Sequence, residues 1–280
     1  MTIAELVAAA ASRLTPAERQ VADVVAADPH AVAFGTVAEL AQRSGTSGPT
    51  VLRFAAKLGL QGFADLQAVA QTEITDALRP ATARIRERPA SDVVGQVLAA
   101  DLENVRATLE AVDTDDFQGA VALLSDLRRR VFVLAGELTR GAGIALTAQL
   151  DLLRDAVVVL GGSPVRVARQ LAECVPGDVV VVIEHRRYER WLLDALDRVR
   201  QNGADVIAVT DRSLSPIATD ARHTFVVAAR GVGPFDSQTG TMALVHALAA
   251  GVAARLRKSA TARLDAIEQM WTAGDALVDP

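Results

Sequence analysis

The chain has 280 residues, half of them hydrophobic and 4% aromatic, with a net charge of −5 and one cysteine, Cys174. That composition excludes a disordered or fibrous polymer, an intramolecular disulfide and a cysteine-cluster metal site. It also speaks against capture of nucleic acid by bulk charge, so any such binding needs a local surface. Charged residues interrupt every apolar run before the roughly 20 residues a membrane helix needs. The first residues carry Glu5 and no basic leader, which argues against a secretory signal. The chain reads as cytoplasmic, with no membrane partner.

Four segments follow from the pattern: a helical domain over 1–79, a linker and connecting helices over 80–127, an α/β domain over 128–258 and a helical tail over 259–280. Thr15-Pro16-Ala17-Glu18 is a capping box with proline at the first helical position, so Thr15 caps a helix that turns Val21, Val24 and Val25 inward. Thr36-Val37-Ala38-Glu39 is a second box, opening a short helix with Val37, Leu40 and Ala41 on one face. Ser44-Gly45-Thr46 ends it, glycine suiting the left-handed position after a helix. Ser47 caps the next helix, which tolerates Pro49 in its first turn and stops at Gly59. Two short helices around a glycine-containing turn have the spacing of a helix-turn-helix.

On the second of these helices, Val51, Leu52, Ala55 and Leu58 form the expected inward stripe, leaving Thr50, Arg53 and Lys57 on the other side. Such a helix suits a DNA major groove: Ser47, Pro49 and Thr50 at its entry, Arg53 for a base edge or phosphate, Lys57 for a phosphate. The pattern alone leaves open that Arg53 and Lys57 are solvated surface charges. Residues 1–80 hold eight acidic and six basic side chains, so a monomer should bind weakly and gain by being doubled. The stretch from Leu14 to Leu66, with TPAERQVADVV and TVAELAQRSGTSGPTVLRFAAKLGLQGFADL, resembles the N-terminal domain of the RpiR/MurR family of bacterial transcription regulators. The resemblance implies a dimeric, or tetrameric, regulator that reads a palindromic double-stranded operator.

Val93, Val94, Val97, Leu98, Leu102, Val105 and Leu109 make an apolar stripe on a long helix. It is taken to pack within its own domain, with a dimer seam as the alternative. A second helix from about Asp115 to Leu127 carries Ala120, Leu123 and Leu124 inward.

Strand-like runs then alternate with helical ones: 130–135, 156–160, 178–183, 205–210 and 224–228 as strands, with helices between. Continuous apolar strands mean that both faces are covered, so the fold class is a parallel five-stranded sheet flanked by helices. Ligands bind at the carboxyl ends of such strands, here at loops 136–141, 161–164, 184–189 and 211–215. The first of these loops lacks the dinucleotide fingerprint, and no cofactor is expected. The segment from Arg128 to about Leu256, with GADVIAVTDRSLSPIATDA and PFDSQTGTMALVHALAAGV, resembles the sugar isomerase (SIS) domain that accompanies the helix-turn-helix in this family. The resemblance implies a sugar-phosphate site of hydroxyls and backbone amides.

This chain departs from that pattern. Thr139, followed by Arg140, stands where the first loop has serine. Glu184, Arg186, Arg187 and Glu189 replace the Ser, Ser, Gly and Thr of the third. Arg186 and Arg187, beside His185, are suited to gripping a phosphate or carboxylate, or else form ion pairs across a dimer or to Glu184 and Glu189. Ser237 either adds a hydroxyl to this pocket or caps the last long helix. The expected ligand is a small anionic metabolite, a sugar phosphate or sugar acid. The four histidines share no metal-ligand spacing. Glu184-His185 as an acid–base pair for isomerisation is set aside because neighbours on an extended chain point oppositely. The expectation is a regulator; a sugar-phosphate isomerase is the alternative.

Overall fold

The computed structural model describes residues 3–27, 29–78, 81–86, 92–213 and 215–277. It divides into two compact units, Met1–Arg86 and Glu87–Pro280. The expected linker, Arg79-Pro80 to Arg88-Pro89, falls largely outside the described residues.

The first unit is helical: α1 (Ile3–Ala10), α2 (Pro16–Ala27), α3 (Pro29–Phe34), α4 (Val37–Arg43), α5 (Gly48–Lys57), α6 (Phe63–Leu78) and the single turn α7 (Ala81–Arg84). Both predicted capping boxes form. Glu18 N–H donates to Thr15 Oγ1 at 3.4 Å and Thr15 N–H to Glu18 Oε2 at 2.8 Å. Glu39 N–H donates to Thr36 Oγ1 at 3.2 Å, with the return bond from Thr36 N–H at 2.7 Å. These bonds satisfy amides that a helix start leaves without partners. Gly45 and Gly59 adopt φ of 62° and 83°, the left-handed conformation that ends α4 and α5 without a Cβ penalty. Val21, Val25, Leu40, Val51, Phe54, Ala55 and Leu66 are fully buried and hold the helices together.

The second unit is built on a parallel sheet of β1 (Val131–Ala135), β2 (Val157–Leu160), β3 (Val179–Ile183), β4 (Asp205–Thr210) and β5 (His223–Val226), in the order β2-β1-β3-β4-β5. One face, with Val131, Val133, Val181 and Ile207, packs on α9 (Thr114–Ser125), α10 (Arg140–Leu153) and α13 (Thr239–Arg255). The other, with Phe132, Leu134, Val180 and Val182, packs on α11 (Pro164–Leu171) and α12 (Arg190–Gln201). Both faces being covered explains why the strands read as unbroken apolar runs. The predicted strand limits agree with these within one or two residues. Cys174 is buried in the second of these cores, where desolvation and the nearby Asp178 raise its thiol to about 11.

Two expectations are corrected. The helix α8 (Val93–Glu110) does not pack through its apolar stripe: Val94, Leu98 and Leu102 are 81%, 60% and 64% exposed. Its buried side chains are polar. Asn104 Nδ2 donates to the Arg230 carbonyl at 2.8 Å and its Oδ1 accepts from Arg230 N–H at 3.0 Å, while Thr108 Oγ1 accepts from Ala228 N–H at 2.9 Å. Backbone beyond β5 has no ladder partner on that side, and this polar face supplies one. The segment 80–127 is therefore not only connection: α8 and α9 pack within the second unit, on α13. So does the tail helix α14 (Arg257–Ala273), which lies along α10 with Leu264, Ile267 and Trp271 half-buried. Among the described residues no single helix is long and apolar enough to cross a membrane.

Candidate nucleic-acid interface and effector cavity

In the first unit, α4 and α5 form the helix-turn-helix, and burial decides which side of α5 is free. Val51, Phe54, Ala55 and Leu58 face the core, and Pro49, Leu52, Arg53 and Ala56 face outward with Ser47 at the entry. Three of the four predicted stripe residues, Val51, Ala55 and Leu58, are buried, and one is exchanged. Phe54 replaces Leu52 inward, because the larger ring fills the core, and Leu52 is left 47% exposed. Leu52 and Ala56 were missed as surface candidates; the full helical spacing about Phe54 carries the signal.

The predicted polar face is divided. Thr50 is 6% exposed rather than outward, but it links its neighbours: Ser47 Oγ lies 2.9 Å from Thr50 Oγ1, which accepts from Arg53 Nη2 at 3.1 Å. Ser47 occupies the cap position, yet its hydroxyl is spent on Thr50 and makes no cap bond to an amide. This chain of bonds steadies the Arg53 guanidinium at the exposed surface. Lys57 turns the other way. Its Nζ donates to Glu18 Oε2 at 2.7 Å and to the Arg13 carbonyl at 2.7 Å. Glu18 is 2% exposed, so the pair spans an almost buried carboxylate. The Lys57 hydrogen bond and that from Thr15 hold the Glu18 carboxyl down at about 2. Lys57 clasps α5 to α2, and the expected Arg53–Lys57 surface contracts to Arg53.

In the second unit a cavity of about 280 Å³ opens at the carboxyl ends of β1 and β3. It is lined by Leu138, Thr139, Glu184, His185, Arg186, Arg187, Glu189, Phe235, Asp236 and Gln238. The strand-end rule therefore found its place. Four predicted residues line it, but not all are free. Thr139 Oγ1 donates to the Ile183 carbonyl at 2.7 Å, joining the first loop to the end of β3. Arg186 is held by Asp236 at 3.1 Å and Asp211 at 3.8 Å, an ion-pair role with acids other than those expected. Arg187 is exposed and, among the described residues, has no hydrogen bond or ion pair. His185 is 4% exposed, with Nε2 3.1 Å from Thr241 Oγ1, and burial depresses its basicity.

Two predicted residues do not reach the cavity. Arg140 pairs with Glu137 on the exposed surface. Ser237 Oγ donates to Asp101 Oδ1 at 2.5 Å, tying the approach of α13 to α8, and accepts from Thr239 N–H at 3.2 Å as a partial cap. Glu184 reads differently from its sequence description. β3 ends at Ile183, so the alternation that would separate Glu184 from His185 has stopped, and both line one cavity. Glu184 is 4% exposed; burial, with Glu189 and Asp211 adding repulsion, pushes its carboxyl up to about 8. Its Oε2 lies against the Cα of Gly136, where an added Cβ would stand 1.8 Å away, so any side chain at 136 would have to displace the carboxyl.

A helix-turn-helix and a sugar-isomerase-type α/β unit in one chain define a class of sensor-bearing DNA-binding protein, and comparison with known proteins agrees. Residues 1–76 match the helix-turn-helix domain of the rpiR family, and residues 123–251 match the SIS domain. The sugar isomerase domain of an RpiR transcription factor from Sphaerobacter thermophilus is 30% identical, with a TM-score of 0.59, covering 64% of this chain and 99% of that one. The regulator HexR of Escherichia coli is 27% identical over 226 residues, 79% of this chain and 76% of HexR. The bifunctional protein Glk of Burkholderia thailandensis is 28% identical over 259 residues, 90% of this chain but 39% of Glk. The chain thus spans about two-fifths of that longer relative. The chain belongs to the RpiR family of helix-turn-helix transcriptional regulators.

Proposed function

We propose that the chain is a cytoplasmic transcriptional regulator that reads a palindromic operator as a homodimer and senses a small anionic metabolite in its α/β unit. The observation that carries the reading is the outward face of α5. Pro49, Leu52 and Ala56 are compact or apolar, suited to close approach and to thymine methyl groups, and Arg53 is held at the surface by Thr50. Lys57 and Glu18 fix the angle of that helix against α2. Ligand bound at the strand ends would shift the balance between arrangements of two such heads, altering operator affinity. Selection of binding sites from random double-stranded DNA tests this: enrichment of a two-fold symmetric sequence is expected, and no enrichment overturns it.

The exposed stripe of α8 supports a dimer. Val94, Leu98 and Leu102 form a contiguous apolar face of the kind that marks a protein contact. Val94→Asp with Leu98→Asp should convert a dimer to a monomer by light scattering; an unchanged mass places the contact elsewhere.

One observation favours an isomerase as second reading: Glu184 and His185 share the cavity, and a carboxyl raised to about 8 is suited to moving protons near neutrality. Turnover of a phosphosugar panel by wild type, lost in Glu184→Gln, would establish it; no turnover removes it.

A further inference from the structure

The outward face of α5 carries two long side chains of opposite character. An α-helix turns by about 100° per residue, so Pro49 and Ala56 lie close to one line down that face, with Leu52 and Arg53 flanking it on opposite sides. Pro49 and Ala56 are compact and allow the helix a close approach. Arg53 is a cation whose Nη2 donates to Thr50 Oγ1 at 3.1 Å. Leu52, 47% exposed, has no polar atom in its side chain. The other cation of the helix, Lys57, is engaged by Glu18.

The core of the head closes without Leu52. Val51, Phe54 and Ala55 are fully buried and Leu58 is buried beside them, so the inward face of α5 is already filled. In a major groove, a leucine at position 52 discriminates between bases by what it cannot do. Adenine, guanine and cytosine present hydrogen-bond donors or acceptors there, and thymine adds a C5-methyl group. Leucine makes no hydrogen bond, so covering a polar base edge with it leaves that edge without a partner, whereas covering a methyl removes apolar surface from water. The side chain thus attracts one base and penalises the others.

We propose that Leu52 is a specificity-determining residue, which selects a thymine in each operator half-site by packing on its C5-methyl, beside the contact made by Arg53. The assignment rests on the reading of α5 as the DNA-contacting helix, and it divides the labour on that helix. Arg53 supplies charge and a hydrogen-bonding fork; Leu52 supplies discrimination with no charge at all.

The test is an anisotropy titration of the full chain with the operator that it selects from random DNA, each thymine replaced in turn by deoxyuridine. That replacement removes the methyl and nothing else. One thymine per half-site should respond, with binding weakened about fourfold when one half-site is changed and about fifteenfold when both are, the effect of one buried methyl each. Leu52→Ala, whose side chain is too short to reach the methyl, should lose that sensitivity. Its salt dependence should match wild type, because no charge is removed. Leu52→Gln, able to bond adenine, should select a different base at that one position and keep the rest of the half-site. Leu52 is half-exposed, so both variants should keep the wild-type dichroism melt, and the deoxyuridine series needs no variant. A half-site in which no thymine methyl matters, a methyl effect of equal size in Leu52→Ala, or an unchanged selection by Leu52→Gln would each overturn the proposal. Wild type that enriches a sequence but fails these measurements defeats this inference alone. Wild type that enriches none defeats the reading of α5 beneath it.

Discussion

Each unit of the molecule buries a glutamate, and the two are accommodated in opposite ways. In the helical head, Glu18 receives Lys57 Nζ, Thr15 N–H and the Thr15 hydroxyl pairing, and its carboxyl is held down at about 2. In the sheet unit, Glu184 keeps one oxygen without a partner and its carboxyl is pushed up to about 8. The shifts are opposite because the hydrogen bonds from Lys57 and Thr15 outweigh desolvation at Glu18, whereas at Glu184 desolvation, with repulsion from Glu189 and Asp211, outweighs the bond donated by His185 N–H. The first carboxylate clasps α5 to α2; the second belongs to a residue that lines the cavity at the strand ends. Burial of a charged residue is therefore uninformative about function until its partners are counted.

The spectroscopy of the chain allows the comparison to be tested unit by unit. Both tryptophans, Trp191 and Trp271, and the only tyrosine, Tyr188, lie in the second unit, whereas far-UV circular dichroism reports both. The largest expected effect is on the head. Lys57→Met leaves a buried carboxylate without its cation and should destabilise the head by about 2–3 kcal/mol. In urea this should appear as an earlier dichroism transition with the tryptophan transition unmoved. A shift under 0.5 kcal/mol, on the order of an ordinary surface substitution, would mean the clasp is incidental.

The pH dependences should run in opposite directions. The folded Glu18 carboxyl lies below its ordinary value, so its contribution is present above about 4.5 and is lost as pH falls toward about 2. The folded Glu184 carboxyl lies above its ordinary value, so the folded sheet unit binds the extra proton and its stability falls as pH rises from about 4.5 to about 8. Glu184→Gln should therefore raise the tryptophan-detected stability by at least ~1 kcal/mol at pH 8 and leave it almost unchanged at pH 4.5. A gain of equal size at both values would remove Glu184 as the titrating group; His185, Glu189 and Asp211 are its neighbours in that measurement.

Local and periodic signals were the legible part of the fold. Both capping boxes, the left-handed Gly45 and Gly59 and the strand limits depend on a few neighbouring residues, and they appear as read. The location of the cavity was legible too, because parallel sheets place sites at strand ends. Most of the errors turned on which other group claimed a side chain, often one on a distant element. Lys57 has the spacing of an outward residue, but α2 presents Glu18 to it. The α8 stripe has the period of a packing face, but the backbone beyond β5 required Asn104 and Thr108 instead. Ser237 and Arg140 sit on the predicted loops, and their hydrogen bonds go to Asp101 and Glu137. Glu184 and His185 share a cavity because a strand ends one residue before them, a boundary that alternation alone does not mark.

Arg53 bears the greatest weight, since it is the one cation of the proposed reading face that the rest of the head leaves at the surface. Fluorescence anisotropy of a selected operator with wild type and Arg53→Ala, at one salt concentration, addresses it directly. A bidentate base contact predicts weakening by about 1–3 kcal/mol, roughly five- to 150-fold, with the dichroism melt unchanged. Equal affinity for the two proteins would contradict the assignment of α5 as the DNA-reading helix.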